Sequence, residues 1–287
     1  MFAIVGIVVV IAAIIGGYLM EDGPLHVLWQ PAELVIILGA ATGTMLVSNP
    51  VSVLKMIAVA LSQAFKGGLS VSVYKDALGV LYELFMVAKK NGLLALEGDV
   101  SEPDKSAIFR RHPLFLAQKE AVHFACDALR MLVDGSCRPD ELEAAMDTEI
   151  ETHGESAHRP ITALSQVADA MPGMGIVAAV MGVVIAVQGI DGPPAEIGHK
   201  IGAALVGTFL GILMSYGFMG PLASMMTHRA KDEERLLQVM KTAIAAFSRG
   251  TAPATAVDLA RRLIFPEARP SGGDMNAVIA AAKKEAA

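Results

Sequence analysis

Four long apolar stretches, separated by polar segments, dominate the pattern along the chain. They lie at residues 2–20, about 32–47, 171–187 and 201–219. At ~1.5 Å of rise per helical residue, each stretch with its flanks approaches or reaches the ~30 Å hydrocarbon thickness of a bilayer. The pattern therefore predicts four membrane-spanning helices, the second of which is interrupted by Gly39 and Gly43.

The first stretch differs from a cleavable signal peptide. It lacks a basic segment before it and a cleavage site of the A-x-A type, and it ends in Glu21 and Asp22. Secretory signals carry those basic and small-residue features. We therefore predict that this stretch is a retained helix.

Composition indicates a protein divided between lipid and water. Of its 287 residues, 54% are hydrophobic and 18% are charged, and the mean hydropathy is +0.52. This is too apolar for an ordinary soluble domain and too charged for a chain that lies wholly in lipid. The net charge of −6, without interleaved basic and aromatic residues, argues against nucleic acid as a partner.

Lysine and arginine residues are concentrated in two regions. Residues 50–165 hold twelve of the 23 and residues 226–287 hold ten, which leaves only Lys200 outside them. Basic residues favour the cytoplasmic side of a membrane, and four spans put both regions on one side. Both termini are therefore predicted to be cytoplasmic, with short outer loops near residues 21–31 and 189–200.

The two basic regions themselves show helical patterns. Helical periodicity runs through residues 113–135 and 138–153. In the tail, the pattern predicts helices at about 225–249 and 251–265. The Ala/Lys/Glu-rich end that follows is expected to be disordered. The predicted fold is an all-α membrane protein, with four transmembrane helices and a helical cytoplasmic domain formed by the 2-3 loop and the C-terminal tail. The predicted divisions are residues 1–48 (helices one and two), 49–168 (cytoplasmic domain), 169–224 (helices three and four) and 225–287 (cytoplasmic tail).

Small residues recur at helical spacing on the third and fourth stretches. They form one face on each helix: Gly175, Ala179, Gly182 and Ala186 on the third, and Ala204, Thr208, Gly211 and Ser215 on the fourth. Such faces let another helix approach closely within a membrane. Two interpretations are open, because the faces can pack only against each other or can also accept a helix from a partner.

Two prolines lie beside these faces. Pro172 comes at the beginning of the third stretch and Pro221 follows the fourth, so the predicted topology places both near the cytoplasmic boundary. On sequence physics alone, Pro172 is interpreted as a helix start and Pro221 as a kink.

Candidate chemistry is sparse within the four stretches. Glu33 and Asp169 lie at the edges of the spans, and all seven histidines lie outside the membrane cores. Ser215 has no histidine or lysine near it on its helix, so an intramembrane enzyme is not predicted. His153 and His158, five residues apart, make a poor metal pair, and no cofactor is predicted. Ion movement needs an ionisable or hydrated relay, so a conducting role requires a partner that supplies it.

The residues around these features closely resemble the MotA family of flagellar motor stator subunits. The similarity rests on ADAMPGMGIVAAVMGVVIAV and AALVGTFLGILMSYGFMGPLAS, together with four spans and a large first cytoplasmic loop, and extends to LLALEGDVSEP, IFRRHP and ELEAAMDTEIETH. The resemblance implies a stator subunit of the bacterial inner membrane that couples inward proton flow to torque on the rotor. The third and fourth spans are more distantly similar to ExbB and TolQ, which have three spans. An ExbB/TolQ-like transducer for an outer-membrane system is therefore the alternative.

The resemblance also implies roles for single residues. Pro172 and Pro221 match two prolines that couple ion passage to movement of the cytoplasmic domain, and Ala179 and Thr208 match pore-facing positions. A basic and an acidic position that contact the rotor protein FliG are matched by Lys89, with Lys90 beside it, and by Glu97. The family's basic residue is arginine, and lysine keeps the charge but loses the planar guanidinium fork.

A partner and an assembly are implied as well. A MotB-type subunit would supply an aspartate on its single span, surrounded by a pentameric ring of copies of this chain. That span would pack on the small faces at Gly175, Gly182, Ala186, Ala204, Gly211 and Ser215. Sodium-driven relatives place threonine at the position of Ala179, and a sodium ion needs several oxygen ligands. The transported ion is therefore expected to be H⁺ rather than Na⁺.

Overall fold

The computed structural model describes residues 2–135 and 137–285, and every regular element in this part of the chain is helical. The chain divides into two compact units. Residues 1–67 and 156–228 form the first, which we call the membrane unit, and residues 68–155 and 229–287 form the second, which we call the helical unit. The all-α prediction is confirmed.

The membrane unit contains the long apolar helices. Its elements are α1 (Phe2–Met20), α2 (Leu25–Leu28), α3 (Pro31–Ser48), α4 (Val51–Ala64), the second part of α10 (Pro139–Gln188), α11 (Pro194–Ile212), a π-helix (Leu213–Met219) and the beginning of α12 (Gly220–Ser248). Four helices in the described residues are long and apolar enough to cross a membrane, which confirms the number of predicted spans. Many large apolar side chains on α1 and α10 are exposed, as lipid-facing residues must be.

The third span begins differently from the prediction. Helix α10 is continuous for 50 residues, with Pro160 and Pro172 both inside it. The interpretation of Pro172 as a helix start is therefore wrong. An interior proline removes one backbone hydrogen bond, and that loss is offset here because Val167, Met171 and Ala178 are buried on both sides of it.

The helical unit packs around helix α5 (Val71–Asn91). A 3₁₀ turn (Leu93–Leu96) and helices α6 (Glu97–Ser101), α7 (Ala107–Arg111), α8 (Pro113–Leu116), α9 (Lys119–Val133), α13 (Pro253–Arg261) and α14 (Gly272–Glu285) complete it, together with the remaining parts of α10 and α12. One buried apolar cluster joins these elements, and within it the rings of Phe85 and Phe247 stack with centroids 4.2 Å apart.

The chain end departs from the sequence expectation. Residues 272–285 form helix α14 rather than a disordered segment, and the expectation of disorder is wrong there. Met275 and Ala282 are buried against the core, and Lys75 Nζ lies 3.1 Å from Asp274 Oδ1. A propensity argument missed this because the helix is held by long-range burial, which no local composition reveals.

Candidate functional site

The small faces of the third and fourth spans meet at the backbone. A Cβ atom at Gly175 would lie 2.8 Å from the carbonyl oxygen of Gly207, and one at Gly211 would lie 2.7 Å from that of Met171. Real Cβ atoms do not approach backbone atoms this closely, so α10 and α11 can cross here only because both positions are glycine.

The contact between α10 and α11 continues about two helical turns away, at Gly182 and Ala204. A Cβ atom at Gly182 would lie 2.8 Å from the Cβ atom of Ala204. Four of the small residues therefore pack against each other within one chain, which both interpretations allow. Ala186 and Ser215 are also buried, and the packing of a partner helix on these faces stays a prediction.

Ala179 and Thr208 lie on the same two faces but are only half-buried. Ala179 is four residues from Gly175 on α10, and Thr208 is three residues from Gly211 on α11. The predicted pore-facing positions thus flank the crossing and keep part of their surface free within the membrane unit.

Pro221 follows an irregular segment of helix. Residues 213–219 form a π-helix, and α12 begins at Gly220, so Pro221 is the second residue of the next helix. A Cβ atom at Gly220 would lie 3.2 Å from the carbonyl oxygen of Ser215. Proline has no N–H to donate, and π-helical turns are frequent at functional sites. Where the sequence predicts a kink at Pro221, the structure has a change from π-helix to α-helix at the end of the fourth span.

Glu33 is the site residue that sequence reasoning missed. It lies in the first turn of α3, inside the second candidate span, and only 7% of its surface is exposed. Oε2 lies 2.8 Å from the position of a Cβ atom at Gly207, and Oε1 lies 3.6 Å from that at Gly182. Glu33 does lie at the edge of its span, as the sequence indicates, but its contact with the crossing of α10 and α11 was not predicted. The only sequence signal was an acidic residue after Pro31, which is ordinary at a helix start.

Lys89, Lys90 and Glu97 are all exposed in the helical unit. The two lysines end helix α5, where cations favour the helix dipole, and Glu97 begins α6. Gly92, with φ of +87°, turns the chain between them. The three charges therefore lie on either side of one turn, and contact with a rotor stays a prediction.

A charged cluster anchors the IFRRHP segment to α5. His112 Nε2 lies 3.0 Å from Glu83 Oε1, Arg111 also pairs with Glu83, and the ring of His112 fills the space over Gly79. Burial alone raises the pKa of Glu83, but the hydrogen bonds and charges of His112 and Arg111 outweigh it and hold the pKa below its ordinary value. A depressed carboxyl pKa contributes stability that is lost only as the pH falls through that lowered value, so the cluster stays intact at neutral pH.

No group of three histidine, cysteine or carboxylate side chains that could hold a metal ion occurs among the described residues. The two cysteines are free thiols, with Cys126 buried and Cys137 half-buried. Burial raises the pKa of Cys126 to about 12, which makes that thiol a poor nucleophile or metal ligand at neutral pH.

Two protein-family models match the chain. The model described as motility protein A N-terminal matches residues 4–92, and that of the MotA/TolQ/ExbB proton channel family matches residues 117–239. Together they include α3, both small faces and the candidate rotor lysines.

Proteins of similar sequence cover nearly the same length. The chain is 40% identical to motility protein A of Escherichia coli (strain K12) over 272 residues, which are 94% of this chain and 92% of that protein. It is 33% identical to chemotaxis protein LafT of Vibrio parahaemolyticus over 271 residues, 94% of this chain and 95% of that one.

Two solved structures share the fold. The C. jejuni MotAB structure superposes with a TM-score of 0.77 at 24% identity, covering 94% of this chain and 98% of that one. The flagellar MotAB stator complex from Bacillus subtilis gives a TM-score of 0.74 at 24% identity, covering 90% and 93%.

Proposed function

The chain belongs to the MotA/TolQ/ExbB proton channel family, and from this premise we propose that it is the ion-conducting stator subunit of a bacterial flagellar motor. The family consists of channels rather than enzymes. The observation that carries the proposal is the motility protein A match across residues 4–92, because that region holds the first two spans and α5. An ExbB- or TolQ-like transducer, expected to have three spans, fits that region less well.

A partner helix completes the proposed channel. Because Gly175, Gly182 and Gly211 are already occupied by contacts within the chain, the free surface left for a partner lies beside them, at Ala179 and Thr208. A MotB-type single-span subunit supplies the membrane aspartate there, within a homo-oligomer that we take to be a pentamer by family resemblance. The proposed location is the bacterial inner membrane, with both termini cytoplasmic.

The proposed coupling residues are Pro172 and Pro221. Pro172 lies inside α10, and Pro221 lies two residues after the π-helix. Both therefore interrupt backbone hydrogen bonding on the proposed cytoplasmic side of the close crossing. Such points are where a packed helix pair can bend with little loss of structure. Ion passage beside Ala179 and Thr208 would thereby move the cytoplasmic parts of α10 and α12, which continue beyond the two prolines.

The proposed ion is H⁺. Ala179 contributes no side-chain oxygen and Thr208 contributes one, whereas a sodium ion must replace its hydration with several oxygen ligands. A proton needs only a carboxylate or a chain of water molecules.

The experiment that tests the function uses cells without stator subunits of their own, supplied with this chain and a MotB-type single-span partner from the same organism. We expect swimming to be restored, and swimming speed to stay constant when sodium is varied at fixed pH and fixed proton-motive force. Steep sodium dependence would contradict the proton assignment. Failure to swim, with rescue instead of an ExbB- or TolQ-deficient strain, would favour the transducer.

Reversal of the charges at Lys89 and Glu97 tests the rotor face. We expect Lys89→Glu with Glu97→Lys to reduce rotation at both low and high load while leaving membrane insertion and partner binding intact, because both side chains are exposed and hold no part of the core. The measurement is bead rotation, with co-purification of the partner as the check on assembly.

The matched control reverses another exposed pair of the same unit, Lys105 and Glu102, whose Nζ and Oε1 atoms lie 2.9 Å apart. Exposed pairs of this kind contribute little to stability, so Lys105→Glu with Glu102→Lys should rotate normally. Unchanged rotation in the Lys89 and Glu97 variant would show that the assigned rotor face is wrong.

A further inference from the structure

Glu33 places a carboxyl group of this chain inside the membrane unit, against the close crossing of α10 and α11. It is more than nine-tenths buried, and Oε2 is a buried atom without a hydrogen-bond partner. Oε2 points at Gly207, whose carbonyl oxygen takes part in the crossing, and Oε1 lies near Gly182, so the carboxyl group is aimed at the interface of α10 and α11.

The surroundings of Glu33 offer it no compensating charge. Glu33 takes part in none of the described ion pairs, and its two oxygens lie beside the positions of Gly207 on α11 and Gly182 on α10, neither of which carries a charge. The other titratable side chains along the packed elements lie mainly at exposed positions: His26 on α2, His158, Arg159 and Asp169 on α10, and Glu196 and His199 on α11. Lys200 of α11 is half-buried, and its Nζ lies 3.2 Å from the Cβ position of Gly189.

A structural role does not account for this arrangement. Burying a carboxylate without a partner is costly even after relaxation, whereas leucine would fill a similar volume with no polar group to desolvate. The site is also built around the carboxyl group, since a Cβ atom at Gly207 would lie 2.8 Å from Oε2 and displace it. Ionisable groups retained inside a membrane bundle at such a cost are typical of proton relays.

We propose that Glu33 is a proton-binding residue of the conduction path, supplied by this chain in addition to the partner's membrane acid. In the proposed topology α3 begins at the outer loop, so Glu33, beside Gly182 and Gly207, lies outward of the close crossing at Gly175 and Gly211. An O–H bond forms on Glu33 as water delivers a proton from outside, and it breaks as the proton passes to water beside Ala179 and Thr208. The carboxylate is thereby regenerated and the step is balanced. This inference rests on the proposed function.

The test measures proton flux in proteoliposomes that contain the complete complex of this chain with its partner. A potassium diffusion potential drives the flux, and a pH-sensitive dye inside the vesicles reports it. The variants are Glu33→Gln, which keeps the shape and removes the proton site, Glu33→Asp, which keeps the acid, and Glu196→Gln, which removes an exposed acid of α11 as the control.

We expect Glu33→Gln to lower the flux by about a hundredfold, the lower range for loss of a positioned proton-transfer group. Glu33→Asp should keep part of the flux with a shifted pH profile, and Glu196→Gln should match wild type. In the difference between wild-type and variant infrared spectra, the part of the carboxylic acid carbonyl band that comes from Glu33 should be lost in Glu33→Gln and shifted in Glu33→Asp.

The outcomes separate this inference from the function on which it rests. If the wild-type complex conducts no protons, the proposed function fails. If wild type conducts and Glu33→Gln conducts equally, Glu33 is not a relay and the inference is overturned. Should Glu33→Gln fail to assemble, Glu33→Asp decides: an unshifted pH profile and an unshifted infrared band contradict the proposal.

Discussion

Pro172→Ala and Pro221→Ala are each expected to abolish swimming while the complex still assembles in the membrane. A proline in a helix interior costs about 3 kcal/mol or more in lost hydrogen bonding and steric clash. Alanine removes that cost, so the folded protein becomes more stable, but the helix loses the interruption in its hydrogen bonding at which it can bend. Pro221 lies two residues after the π-helix, and Gly220 between them keeps helical dihedral angles, so Pro221 is inside a continuous helical run. A restored N–H donor there would favour regular α-helix in place of the change of helix type.

The measurement compares swimming and bead rotation with the amount of complex purified from membranes. Pro194→Ala is the matched control, because Pro194 is in the first turn of α11, where the missing N–H has no partner to lose. Pro194→Ala should therefore swim normally. Loss of the Pro172→Ala or Pro221→Ala protein from the membrane would contradict a coupling role and support a structural one.

Gly211→Ala is expected to prevent stable packing of the membrane unit, although it adds a single methyl group. The new Cβ atom would lie 2.7 Å from the carbonyl oxygen of Met171 and 2.9 Å from the Cα atom of Gly175. Both neighbours are backbone atoms, which cannot rotate away as a side chain can. We expect a penalty at or above the ~1–3 kcal/mol typical of overpacked cores.

The control is Gly202→Ala on the same helix, where nothing lies within 4 Å of an added Cβ atom. Alanine is favoured over glycine in a helix by roughly 0.5–1 kcal/mol, so this variant should be as stable as wild type or more so. The melting temperature of the purified complex and its yield from membranes measure both effects. Equal melting temperatures for the two variants would show that the close crossing of α10 and α11 is not formed.

The sequence was a good guide wherever a property is local. Helix α1 spans the predicted residues 2–20, and α3 begins and ends within one residue of the predicted second span, because span length follows from uninterrupted apolar composition. The spacing of small residues likewise predicts the helix faces that contain Gly175 and Gly211, and these two glycines are in contact in the structure.

Properties that depend on distant partners were not predictable in this way. The continuity of α10 through Pro172 and the order of α14 both depend on burial against other elements. The contact of Glu33 was missed for the same reason: its position along the chain marks a helix start, and only the packing of α3 on α11 brings its carboxyl group to Gly207. The roles of Ala179, Thr208, Lys89 and Glu97 follow from resemblance, and they stay predictions.

The central claim is that inward proton flow through this chain and its partner drives rotation. It is tested most directly by bead rotation in cells powered by this stator alone, with the proton-motive force lowered in steps by an ionophore while the sodium gradient is held constant. The account predicts that speed falls in proportion to the proton-motive force and that rotation stops when the force is collapsed. Rotation that persists on the sodium gradient after the proton-motive force has been collapsed would contradict it.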